Sequence, residues 1–142
     1  MVIYLSGGKT FGLIIIGKMK IITKEEANFM SKPEGTKVWY YLRDEYEIHL
    51  NEQIPSSTQT WHHHEKICET LFILEGELTA QWKENGQTKS QIVKSGDMIE
   101  TENSPHTFTN HTDKIVKFIV LKLVPTGQNK HELIKNDKIV DE

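Results

Sequence analysis

From Lys37 to Val124 the chain breaks into short runs rich in aromatic and β-branched residues, each closed by turn chemistry. That pattern constrains the fold more than any other feature. Strand candidates run from 37 to 43, 46 to 51, 58 to 64, 70 to 74, 78 to 83, 90 to 93, 98 to 101, 106 to 110 and 114 to 124. Glu75-Gly76, Asn85-Gly86, Ser95-Gly96 and Asn103-Ser104 separate several of them. Asn-Gly between two such runs is a strong signal for a two-residue hairpin. Many short strands at regular spacing predict an all-β sandwich or barrel.

The flanks read differently. Thr23-Lys24-Glu25-Glu26 has capping-box spacing and predicts a short helix to about Met30, followed by a loop through Pro33 and Gly35. The tail from Gly127 is polar, with a candidate helix over 131–136. The division is therefore 1–36 as an N-terminal extension with a short helix and loop, 37–125 as the barrel, and 126–142 as a C-terminal tail. A length of 142 residues suits one domain. The apolar run Phe11 to Ile16 is far shorter than the roughly 20 residues of a membrane span. It is read either as an extra strand or as part of an extension upstream of a start at Met19, and it lacks the marks of a signal peptide.

Composition excludes some partners. Seventeen basic and twenty acidic residues are interspersed, with a net charge of -3, so no nucleic-acid footprint is present. A single cysteine, Cys68, precludes an intrachain disulfide and favours a reducing, cytoplasmic setting. No nucleophilic triad, phosphate loop or dinucleotide fingerprint is found.

The residues that carry chemistry lie in two places. His62 and His64 are two apart on a strand candidate, so both rings share a face while His63 turns away to an exposed or rim position. Glu69 begins the next strand and reaches the same face through a short loop. Imidazoles with a carboxylate suit Mn, Fe, Co, Ni, Cu or Zn. His106, between Pro105 and Phe108, is the natural fourth ligand. Burying such a set without a cation costs several kcal/mol in desolvation.

Residues 62 to 76, reading His-x-His, four residues, Glu69, six residues and Gly76, resemble the first cupin motif. Gly96-Asp97 through Pro105-His106-Thr107-Phe108-Thr109-Asn110 resembles the second, and nineteen residues lie between Gly76 and Gly96, similar to small monocupins. The resemblance covers about 37 to 124. Three departures stand out: Ser56 replaces an opening glycine, Glu102 and Ser104 stand near the usual proline and glycine, and the second motif is one residue short. Asn103 can supply the left-handed conformation that glycine would.

The resemblance implies a double-stranded β-helix, or jelly-roll, barrel with short flanking helical segments. It implies one divalent transition metal on His62, His64, Glu69 and His106. Four ligands leave two octahedral positions open, which points to a metal-dependent enzyme, oxygenase- or isomerase-like, acting on a small oxygen-containing molecule. The alternative is a non-catalytic small-molecule or metal-binding module, and a third reading is a structural dimer stiffened by its metal. The fold alone does not choose between them. Tyr46, Trp82 and Phe108 are candidate pocket walls, with Tyr41 beside them. Trp39, Trp61 and Phe72 are assigned to core or pocket, Cys68 to a buried structural thiol, and His49, His111 and His131 to the surface. The run from 114 to 124 is apolar on both faces at Val116, Phe118, Ile119, Val120 and Leu121. Its second face predicts a second sheet or a homodimer partner.

Overall fold

The computed structural model describes residues 2–3, 14–15, 19–124 and 134–141. Strands β1 (Val2–Ile3) and β2 (Ile14–Ile15) pair with each other. The strands β3 (Asn28–Ser31), β4 (Thr36–Leu42), β5 (Tyr46–Gln53), β8 (Cys68–Glu75), β11 (Met98–Glu100) and β13 (Val116–Leu123) form one antiparallel sheet. Its order is β11-β8-β13-β5-β4-β3. The second sheet is β10-β9-β12-β7-β14, with β6 also paired to β12. Its members are β6 (Ser57–Thr58), β7 (His62–His63), β9 (Glu77–Glu84), β10 (Gln87–Lys94), β12 (His106–Asn110) and β14 (Ile139–Val140). The two six-stranded sheets make a jelly-roll barrel. Among the described residues no helix is long and apolar enough to cross a membrane.

Turn chemistry sets the registers. Asn85 and Gly86 both have positive φ, at 50° and 74°, and Gln87 pairs directly with Glu84 across a two-residue loop. Gly76, at φ +86°, turns β8 into β9, and a Cβ there would meet Val116 Cγ2 at 3.0 Å. Asn110 is fully buried at the end of β12. Its amide donates to the carbonyls of Gln53 and Lys114, and its side-chain oxygen accepts from the Thr112 amide, locking the strand end to two loops.

The barrel interior has two halves. Leu71, Ile73, Leu78, Ala80, Val93, Phe108, Val116, Phe118 and Val120 pack as the apolar half. Each large side chain buried there contributes about 1.5–3 kcal/mol. The other half is polar, because β5 turns Glu47, His49, Asn51 and Gln53 inward and Tyr46, Ile48 and Leu50 outward.

Several expectations need correction. The capping box closes only a 3-10 turn at Lys24–Glu26, in which the Thr23 amide donates to Glu26 Oε2. Residues 28–31 then pair with β4 as an edge strand, so hairpin pairing with the next strand overrides the helix signal. The 58–64 run is interrupted, giving β6 and β7 separately. His49 is buried, not at the surface, because alternation on β5 turns it inward, and Cys68 is exposed and not buried, because the outer face of β8 to which alternation turns it is open there. Phe72 points outward and is 43% exposed. In the tail, residues 134–136 are helical, while 131–133, His131 included, lie outside the described residues.

The sheets extend past the 37–125 span at both ends. β3 adds an edge strand to one sheet, and β14 pairs with β7 in the other. Ile134 packs with Ile67 and Val124 in a small separate cluster that seats this returning segment.

Candidate metal centre

Three elements of the barrel converge on one enclosed point. His62 lies on β7 and His64 just beyond it, with His63 between them turned to the opposite face, where its Nδ1 lies 3.0 Å from the Asp141 carboxylate. The Asp137 carboxylate accepts the amides of Glu65 and Lys66 at 3.2 and 3.0 Å, folding the chain back into β8. Glu69, on β8, thereby returns to the face of His64. His106 opens β12 and is the direct ladder partner of His62. His62, His64, Glu69 and His106 are all buried.

Hydrogen bonding fixes how the imidazoles present themselves. His62 Nδ1 is 2.8 Å from the Thr60 carbonyl, His106 Nδ1 is 2.7 Å from the Ser104 carbonyl, and His64 Nδ1 is 3.3 Å from the Asp137 carbonyl. A carbonyl oxygen only accepts, so each Nδ1 carries the proton and donates it. In the neutral rings every Nε2 is then a bare lone pair, the form in which imidazole binds metal. Those lone pairs face a carboxylate. His64 Nε2 is 3.1 Å from Glu69 Oε2, and His106 Nε2 is 3.1 Å from Glu69 Oε1. Acceptor meets acceptor, and a cation resolves the conflict.

The donor set fits a divalent transition metal. Bonds of about 2.0–2.2 Å in an octahedral arrangement place neighbouring donors roughly 3 Å apart, which matches these separations. The ligand atoms of His62, His64 and Glu69 all lie within 4.8 Å of one another, a cluster that could hold a metal ion. The His106 ring centroid is 4.5 Å from that of His62 and 6.2 Å from that of His64.

Electrostatics favours the same state. Burial pushes His62 down to about 3, outweighing its bond to the Thr60 carbonyl, so its ring is neutral at physiological pH. Burial alone would raise the Glu69 carboxyl. The Lys122 ammonium beside it opposes that push, and the group is held well below the usual carboxylate range. Lys122 Nζ lies 3.0 Å from Glu69 Oε2 and 3.3 Å from His64 Nε2.

A cavity of about 530 Å³ reaches the cluster from the His106 side, and Trp82, Phe108, Ala80, Ile99 and Thr101 line it. The His106 and Phe108 rings are 5.5 Å apart. Tyr46 lies elsewhere, in a second depression on the outer face with Tyr41, Arg43 and Ile48. Strand parity explains this, because Glu47 and His49 take the inward positions on β5. Sequence reasoning missed Lys122 and Asp137. The signal for Lys122 is its parity with Val116, Phe118 and Val120, which aims it inward. Asp137 comes from the C-terminal segment and has no local signature.

A family model described as a cupin domain matches residues 49–122, a span that contains His62, His64, Glu69 and His106. No curated protein matches the chain by sequence. Among solved structures, a sugar phosphate isomerase of the cupin superfamily from Silicibacter pomeroyi is similar at 16% identity and a TM-score of 0.61, over 73% of this chain and 75% of that one. A predicted oxalate decarboxylase from Thermotoga maritima gives 19% and 0.64, over 74% of this chain and 99% of that one. The Fe(II) form of HppE gives 17% and 0.60, over 74% and 60% respectively. At these identities the likeness is one of fold.

Proposed function

This chain belongs to the cupin domain family, and from that premise we propose that it is a metal-binding monocupin, a metal-dependent enzyme acting on a small oxygen-containing molecule. One observation carries the reading. Three buried imidazoles, each tethered by Nδ1 to a backbone carbonyl, gather round a single buried carboxylate, with His64 and His106 Nε2 each 3.1 Å from its oxygens and His106 lining a cavity. His62, His64, Glu69 and His106 are the proposed ligands.

A divalent transition metal held there would polarise a carbonyl or hydroxyl oxygen or activate dioxygen. The residues of the chain do the rest. The carbonyls of Thr60, Ser104 and Asp137 fix the ring orientations. Trp82 and Phe108 wall the approach with apolar surface and restrict water at the centre. Glu69 supplies the one negative charge among the ligands. The lone cysteine supports a reducing, cytoplasmic setting.

The test is solvent-water proton relaxation of the Mn(II)-loaded protein. An open coordination position exchanges water and raises the relaxation rate, as an enzyme or a ligand-binding module requires. A closed, purely structural site would leave the rate at the level of sequestered ion and overturn the enzyme reading.

A homodimer completes the proposal. The outer face of the β11-β8-β13-β5-β4-β3 sheet carries Met98, Phe72, Ile119, Leu50, Trp39 and Phe29 in one continuous ladder row across all six strands. Met98 is 61% and Phe29 56% exposed, and contiguous apolar surface of this kind marks an interaction site. A neighbouring row reads Lys37, Glu52, Lys117 and Glu75. Turned on itself about a two-fold axis, that alternation sets Lys37 against Glu75, and Glu52 against Lys117, of a second copy.

A further inference from the structure

We propose that the metal centre takes an oxyanion as its ligand and that Lys122 is the residue that selects it, an inference that rests on the metal reading above. Lys122 shares the inward face of β13 with Phe118 and Val120, and its side chain is 13% exposed. In the ladder it stands directly between two buried carboxylates, Glu69 on β8 and Glu47 on β5. Its ammonium donates to Glu69 Oε2 at 3.0 Å and to His64 Nε2 at 3.3 Å.

His64 Nε2 has one lone pair, so it serves either the lysine or a metal. When a divalent ion takes it, the ammonium loses that acceptor and stays beside the ligand carboxylate. Glu47, on the other side, is engaged with His49 Nε2 at 2.8 Å. Two further lysines arrive from separate segments, Lys32 before β4 and Lys138 before β14. Lys32 feels the charges of Lys138, Glu34, Lys122 and Glu69, and Lys138 those of Lys122, Glu34 and Glu69, while the buried Asp137 carboxylate, 3.9 Å from His64 Nδ1, is a further counter-charge. Burial first, and then repulsion by Lys138 on Lys32 and by Lys122 on Lys138, lowers the proton affinity of both amines.

A divalent ion added to this group leaves excess positive charge in an enclosed site. Uncompensated charge there is costly, and an anion on the open coordination positions relieves it. A neutral carbonyl or hydroxyl compound does not. The structure therefore assigns the ligand class as a small oxyanion, with oxalate as the carboxylate probe and inorganic phosphate as the other source of the same chemistry.

The experiment is calorimetric titration of Zn(II)-loaded full-length protein with each probe, alongside Lys122→Gln and Lys122→Arg, with zinc content measured on every sample. At least one probe binds the wild type, and the tighter of the two identifies the source. Lys122→Gln weakens that binding about tenfold or more, while Lys122→Arg, which keeps the charge, largely retains it. Equal binding by wild type and Lys122→Gln at equal zinc content overturns this inference and leaves the metal reading standing, as does a zinc-loaded wild type that binds neither probe. A wild type that takes up no zinc overturns both.

Discussion

His106 and His62 are direct ladder partners on β12 and β7, their ring centroids 4.5 Å apart, although they come from separate motifs of the chain. The pairing brings the second hairpin's imidazole to the first, and Glu69 bridges the set through contacts from its two oxygens to His106 and His64. Because the bridge depends on a backbone ladder, the geometry is held by the sheet itself.

The first prediction concerns that pairing. His106→Ala leaves His62, His64 and Glu69 in place but removes one donor, and zinc affinity falls by roughly a hundredfold or more. Chelator competition measures it. An unchanged affinity would remove His106 from the ligand set.

Asp137 ties the C-terminal segment to the turn before Glu69, and its carbonyl orients His64. Asp137→Ala leaves two amides without their acceptor and destabilises the metal-free protein by about 1–3 kcal/mol. Zinc affinity falls with it, since Glu69 follows that turn. Denaturant unfolding and chelator competition on the same variant check both effects. A variant as stable as wild type would show that the segment merely rests on the barrel.

His49 supplies a pH dependence. Burial lowers its proton affinity, against the opposing hydrogen bond that the ring donates to Glu47, so the folded state holds a neutral ring. The unfolded chain takes up a proton near the ordinary value of about 6.5, so it binds more protons than the folded state below that pH. The contribution of His49 is therefore present above about pH 6.5 and lost as the pH falls below it. His49→Gln makes the stability profile of the metal-free protein shallower between pH 7 and 5, read by denaturant midpoints. A profile of unchanged slope would contradict the assignment.

Phe72 and Ile119 sit side by side on the outer apolar row. Phe72→Lys or Ile119→Lys places a charge in the proposed dimer face, and light scattering should report a dimer for the wild type and a monomer for either variant. A wild type that is monomeric at micromolar concentrations would refute the dimer.

The barrel was legible wherever turn residues and alternation agreed. Asn85-Gly86 forms the two-residue hairpin, and the spacing from His62 to Gly76 brings His62, His64 and Glu69 together. Both motifs depart from the family pattern in side chains, at Ser56 in the first and at Glu102 and Ser104 in the second. Ser56, Glu102 and Asn103 all adopt left-handed φ, at 54°, 46° and 63°. A missing glycine therefore signals strain at those turns, and the turns persist. The polar half of the interior was not legible. On β5 the apolar residues face out and Glu47, His49, Asn51 and Gln53 face in, so a pattern reading that seeks an apolar core inverts the strand. Hairpin pairing with β4 placed β3 at a sheet edge where local capping favoured a helix, and a long-range contact brought Asp137 back to His64 across 73 residues.

The central claim is that one divalent transition metal sits on these side chains, and elemental analysis of protein purified without a histidine tag tests it most directly. The account predicts about one ion per chain in the wild type and in His63→Ala, whose ring faces Asp141, and almost none in His62→Ala or His64→Ala. A wild type that contains and takes up no metal, or a His63→Ala protein as depleted as His64→Ala, would contradict it.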